Sequence, residues 1–291
     1  MTKELVFVHG RAQEKKDSAA LKREWIEAWR AGLAKTGKDI PISESDIRFP
    51  YYGDTLYALA AGTDSAPEVI IRGTAPAAEL PFEQSVIEEV QRVAGITDEQ
   101  VEAVLAPEVR ERGPLNWEWV HGILKAIDRH LPGASGTSIA LATKDVYHYL
   151  RNPGVRDTIE QGVRAALGDR PTVVVSHSLG TIVAFNLLRR DGREREWEVP
   201  LFVTLGSPLA VTAIRAGVSP IGHPACVGRW FNAMDEGDVV ALYPLDRAHF
   251  NVNPEVENKL DVKNHTPNRH GISGYLSDPV VAARIFDAVV S

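Results

Sequence analysis

Ser178 is the residue of this sequence best placed to do chemistry. It lies in Val173-Val174-Val175-Ser176-His177-Ser178-Leu179-Gly180, an apolar run that reads as a buried strand stopping at a sharp turn. The amphipathic stretch Thr181-Ile182-Val183-Ala184-Phe185-Asn186-Leu187-Leu188 follows at once, so the pattern predicts strand, one-residue elbow, helix. Such a reversal holds its central residue in an awkward backbone conformation and pushes the side chain clear of both elements, provided the positions two before and two after are small. Ser176 and Gly180 meet that condition. The start of the following helix presents unpaired backbone N–H groups, and the amide of Leu179 is the natural first donor to a developing oxyanion. A small-x-Ser-x-Gly string also arises by chance; the apolar run before it and the helical pattern after it favour the elbow here.

A serine hydroxyl is a weak nucleophile at neutral pH and needs a histidine as base and a carboxylate to fix that histidine's tautomer. Both follow in chain order. Asp238 lies just past an expected strand, in Asp235-Glu236-Gly237-Asp238-Val239-Val240. Asp235 and Asp246 compete with it, but the apolar Val239-Val240-Ala241 run gives Asp238 a partly buried setting, where an acid needs a partner. Asp235 reads as a residue that holds the loop. For the base, His270 in Arg269-His270-Gly271-Ile272-Ser273-Gly274-Tyr275 can hang back over the sheet edge, with Tyr275 packing beneath; His265 is its rival. His177 neighbours the serine in sequence, and adjacent residues at an elbow point apart, so it reads as structural. A second oxyanion donor is expected from His9-Gly10-Arg11, where Gly10 permits a tight turn, the backbone N–H of Arg11 can aim at the oxygen and His9 orients the turn.

The elements around these residues suggest one domain over 1–291. The chain is 44% hydrophobic and 24% charged, enough for one large core, and its net charge of -7 without a Lys/Arg stripe argues against nucleic acid as a partner. No apolar run reaches membrane-spanning length, and Leu5 to Val8 is too short for a signal-peptide core. The single cysteine, Cys226, excludes an internal disulfide and fits a reducing, cytoplasmic compartment, where it reads as a packed small residue. No cofactor is expected, and the histidines form no metal-ligand spacing.

Leu5 to Val8 reads as a strand. Leu21, Trp25, Ala28, Trp29 and Leu33 form a helical stripe behind Ser18 as cap, and Asp46 to Tyr52 reads as a second strand or its exit, the opening of a parallel α/β sheet. Residues 56–168 carry helical patterns and almost no strand. Phe82, Val86, Val90 and Val93 share a face; Thr97-Asp98-Glu99-Gln100 matches a capping box; Trp117, Val120, Leu124, Ile127 and Leu131 make a stripe, as do Val155, Ile159 and Val163. This segment is either an insertion that covers a site or a helical layer on one face of the sheet. Trp117, Trp119, Tyr147 and Tyr149 are candidates for an acyl pocket or for core. Strands follow at Val199 to Leu205, Val227 to Asn232 and, more weakly, Lys259 to Lys263, before a terminal helix from Pro279 to Val290.

The strand-His-Gly turn, the small-x-Ser-x-Gly elbow, the later aspartate and the final histidine together resemble the α/β-hydrolase superfamily, particularly its lipase and esterase-like members. The resemblance covers residues 3–55 and 169–291. It implies an α/β-hydrolase fold, a mostly parallel central sheet flanked by helices, with 56–168 as a helical insertion before the nucleophile strand. It also implies Ser178 as nucleophile, Asp238 as acid, His270 as base, and Arg11 and Leu179 as oxyanion amides. Ser176 departs from the usual glycine and adds a hydroxyl at a crowded turn. The implied activity is cleavage of a small-molecule acyl ester through an acyl-enzyme. Acyl transfer, amide or peptide hydrolysis, and binding without catalysis are the alternatives.

Overall fold

Near-continuous runs of Val, Leu and Phe suit strands that are covered on both faces, as parallel sheets require. The computed structural model, which describes residues 3–10, 17–52, 79–106 and 117–291, turns these runs into β1 (Glu4–Val8), β3 (Thr172–His177), β4 (Val199–Leu205) and β5 (Val227–Ala233). Two shorter strands, β2 (Ile47–Arg48) and β6 (Glu257–Lys259), close the edges. The six strands are all parallel, in the order β2-β1-β3-β4-β5-β6. The chain steps from β1 outward to β2, returns past β1 to β3 and then proceeds in one direction to β6. This is the α/β-hydrolase topology.

Parallel neighbours need crossover connections, and helices supply them. They are α1 (Ser18–Ala34), α2 (Leu80–Val93), α3 (Asp98–Glu102), α4 (Trp117–His130), α5 (Gly136–Arg151), α6 (Pro153–Ala166), α7 (Leu179–Asp191), α8 (Thr212–Gly217), α9 (Ile272–Leu276) and α10 (Pro279–Val290). Side chains alternate across each strand, so the core divides in two. Leu5, Phe7, Val173, Val175, Val203 and Phe231 pack under α1, α9 and α10. Val6, Val8, Val174, Phe202 and Trp230 face α2 to α8. Within that second layer α2 packs on α4, α5 and α8, and α5 on α6 and α7. Residues 56–78 and 107–116 of the expected helical segment lie outside the described residues.

Several boundaries differ from expectation. The cap of α1 is Asp17, not Ser18: Asp17 has the extended backbone that a cap needs, and its carboxylate accepts the Ala19 N–H at 2.9 Å. Within Asp46 to Tyr52, read as a strand or its exit, only Ile47–Arg48 is strand, because Glu44–Asp46 winds into a 3-10 turn and the chain leaves the sheet before Pro50. The last strand ends, rather than begins, at Lys259, whose carbonyl accepts the Met234 N–H as the chain turns away. Val93 is exposed instead of sharing the Val86 and Val90 face, since α2 ends there. Among the described residues no helix is long and apolar enough to cross a membrane.

Trp29 ties the first helix to the last. It is wholly buried, and its Nε1–H donates to the Ala282 carbonyl at 3.1 Å. Trp29→Ala is expected to cost about 3–5 kcal/mol in urea unfolding. Trp29→Phe, which keeps much of the packing, should lose roughly half of that or less. Equal losses would mean that the hydrogen bond, not the packed ring, joins the two helices.

Candidate active site

Strand register brings Ser178 to the carboxyl-terminal edge of the sheet. Ser176 pairs with Val8 of β1, His177 pairs with Leu205 of β4, and the Ser178 N–H donates to the Leu205 carbonyl at 3.1 Å. Between the end of β3 and the start of α7, Ser178 adopts φ 54 and ψ -128. A non-glycine residue there is strained and persists only where its surroundings impose it. Thr181 helps to impose it: its N–H and its hydroxyl both donate to the Ser178 carbonyl, at 2.9 and 2.7 Å. Gly180 admits no side chain, because a Cβ would lie 2.3 Å from the Val8 carbonyl oxygen and 2.4 Å from that of His9. The turn after β1 therefore packs directly on the elbow. The Ser176 hydroxyl, expected near the site, instead donates to the Val203 carbonyl at 2.8 Å inside the sheet. The extra polar group is satisfied, so replacing the usual glycine leaves no buried orphan.

Asp238 and His270 meet across the same edge. The Nδ1–H of His270 donates to Asp238 Oδ2 at 2.7 Å, and the Tyr275 hydroxyl donates to that oxygen at 2.6 Å. Asp238 Oδ1 accepts the N–H groups of Val240 at 2.9 Å and Ala241 at 3.4 Å. Burial pushes the Asp238 carboxyl up, but the adjacent His270 and these hydrogen bonds outweigh it and hold the group below the ordinary carboxylate range. With Nδ1 committed to Asp238, Nε2 is left as the acceptor of a neutral His270 ring.

The competing residues have other partners. Asp235 accepts the N–H groups of Gly237 and Asn264, each at 2.7 Å, and so ties the acid loop to the histidine segment, the holding role its position suggested. Asp246 accepts from the ring of His249 at 2.8 Å. His265 is exposed. His9 is buried, donates through Nδ1 to the Gly10 carbonyl at 2.7 Å, and accepts the Tyr52 N–H at Nε2 at 3.1 Å. Burial lowers it to about 4, so it stays neutral, as this bonding needs. It orients the turn. Arg11 lies outside the described residues, but the preceding Gly10 abuts the elbow: a Cβ on it would come 2.7 Å from Ser178 Cβ.

Two contacts were not foreseen. His177 does not simply point away: its Nε2–H donates to the His270 carbonyl at 2.7 Å, and the two rings lie 4.7 Å apart. Burial, then the neighbouring His270, pushes it down to about 3, so it holds the loop as a neutral ring. Tyr275, expected only to pack, binds the acid. Nothing in local sequence marks a bond between loops more than thirty positions apart.

Ser178 stands between two cavities. One, of about 30 Å³, is narrow and apolar, walled by Val86 and Val90 of α2, Ile139 and Val146 of α5, and Leu179 and Val239. The other, of about 280 Å³, is wider and includes Ser135, Ser138, His177, Asn268 and His270. The aromatic candidates line neither. Tyr149 is buried with its hydroxyl donating to Glu160 at 2.7 Å; Tyr147 packs on Phe82 in a separate groove; Trp119 is core and Trp117 packs against it. They belong to helix-helix contacts behind the wall, and smaller aliphatic residues face the serine. Cys226 is half-buried, and burial pushes its thiol up to about 11, in keeping with a packing role.

No protein-family model matches this chain, and no curated protein matches it. Among the described residues no group of three or more His, Cys, Asp or Glu is arranged to hold a metal ion.

The lowered Asp238 carboxyl has a consequence for stability. Its folded value lies below the ordinary 3.8, so the unfolded chain binds the proton more readily. The stabilisation is complete above about pH 5 and is lost as pH falls through the folded value. Urea midpoints measured between about pH 5 and 2 should fall less steeply for Asp238→Asn than for the unaltered protein. Parallel curves would show that this carboxylate is not held ionised by its partners.

Proposed function

We propose that the protein is a serine hydrolase that cleaves a carboxylic ester of a small molecule through an acyl-enzyme. The observation that supports it best is the shared cleft of Ser178, at a strained strand-to-helix turn, and His270, whose Nδ1–H is bonded to the buried carboxylate of Asp238. His270 takes the hydroxyl proton as Ser178 Oγ attacks the carbonyl carbon, and Asp238 stabilises the imidazolium that forms. The tetrahedral oxygen is held by the backbone N–H groups of Leu179 and Arg11. His270 then protonates the departing alcohol, and water, activated in turn by His270, releases the acid. An alcohol is the leaving group this machinery expels most easily. The narrow aliphatic cavity takes the acyl chain and the wider cleft the alcohol portion. A lone, half-buried cysteine fits an enzyme of a reducing, cytoplasmic compartment.

A fluorophosphonate should add its mass to Ser178, and Ser178→Ala should abolish labelling while lowering p-nitrophenyl ester turnover by on the order of 10³-fold or more. A folded, accessible protein that takes no label would overturn the reading. Within a series of p-nitrophenyl esters, short acyl chains should turn over fastest, because the cavity beside Ser178 holds only about 30 Å³. Rates that climb steadily to long chains would place the acyl group elsewhere.

A further inference from the structure

Asp238 Oδ2 is shared. It accepts from His270 Nδ1–H at 2.7 Å and from the Tyr275 hydroxyl at 2.6 Å. The phenol oxygen in turn accepts the Asp235 N–H at 3.2 Å, which fixes the direction of the chain: backbone amide to phenol, phenol to carboxylate. Tyr275 has no freedom to turn its proton elsewhere. Its ring is wholly buried on α9, and burial, then the adjacent Asp238, pushes its phenol well above the ordinary range, so it remains a donor at every pH at which the protein works.

Two donors on one carboxylate oxygen compete for its charge. The firmness with which Asp238 holds a protonated imidazole decides how readily His270 gives up the proton that the leaving group needs. We propose that Tyr275 is a positioning residue that sets the proton affinity of the His270–Asp238 pair, weakening the grip of the carboxylate on the imidazolium while fixing its orientation. The inference rests on the hydrolase reading above.

Among the described residues the charged and titratable groups around the pair are few. His177 and His9, at the ends of β3 and β1, are neutral through burial. Asp235 on the acid loop lies 3.5 Å from Arg269, and Glu24 of α1 lines the cleft. Of these only Asp235 touches the phenol, and it does so through its backbone N–H, not its carboxylate.

Tyr275→Phe removes the competing donor and keeps the ring. Two readouts are compared with the unaltered protein: the pH profile of kcat/KM on a p-nitrophenyl ester, and the ring resonances of His270 followed by NMR against pH in the Ser178→Ala background. The expected result is that the acid limb and the His270 titration both move to higher pH, by about half a unit or more. Movement to lower pH, or none, would show that the hydroxyl merely props the loop and would overturn the proposal. Should Tyr275→Phe fold poorly, 3-fluorotyrosine at position 275, a stronger donor of the same shape, should move both to lower pH; an unmoved titration would be equally fatal. Failure of the unaltered protein to label with fluorophosphonate would sink the hydrolase reading alone, because the NMR titration needs no turnover. Labelling with an unmoved titration would sink the role of Tyr275 alone.

Discussion

A serine at φ 54 cannot rest on its own preferences, and much of the carboxyl-terminal edge of the sheet is arranged around holding it there. The restraint comes from two strands and a helix. β4 accepts its N–H, the first turn of α7 donates twice to its carbonyl, and the exit of β1 packs so closely that the second residue of α7 must be glycine. The contacts from β4 and from the exit of β1 depend on parallel register, since only strands that end together can bring their following turns to one place. The sheet thus acts first as an alignment device. Its two hydrophobic layers keep β1, β3 and β4 from sliding, and the local strain at Ser178 is borne by that rigidity.

The second constraint is electrostatic. A carboxylate buried as deeply as Asp238 is unfavourable unless its lone pairs are filled, and here four donors fill them. Two come from its own loop and two from the segment after β6. Satisfying the charge therefore folds two distant loops together, and Asp235 and His177 reinforce the same junction from either side. The geometry of the histidine is a by-product of neutralising the acid.

Much of this was legible in the sequence, for identifiable reasons. β1, β3 and β4 announced themselves because strands covered on both faces are almost continuously apolar, and β5 did so through Val227, Trp230 and Phe231. The ends of β2 stayed open and β6 was misplaced because short edge strands carry too few apolar residues to mark their ends. α5 escaped because its buried face mixes Ile139 and Val146 with Thr143, Lys144, Asp145 and His148, which blurs any stripe. Asp238 and His270 could be selected by chain order and local apolarity, and they do meet. The phenol on Asp238, the imidazole of His177 on the His270 carbonyl and the inward turn of the Ser176 hydroxyl could not be read, since each depends on how loops and strands settle against one another. The aromatic residues could be read as pocket or as core, since the size that suits a pocket also favours them between packed helices, and Trp119 and Tyr149 are core.

The narrow cavity is walled by two stretches of the chain. Val86, Val90, Ile139 and Val146 belong to α2 and α5, which precede β3, whereas Ser178, Leu179 and Val239 lie at the end of β3 and beyond. Substitutions on the two helices can reshape the space beside the serine without disturbing the hydrogen bonds that align it. The architecture is in that sense modular: the shape of the cavity can vary on one stretch of chain while the hydrogen-bonded serine turn on the other stays fixed.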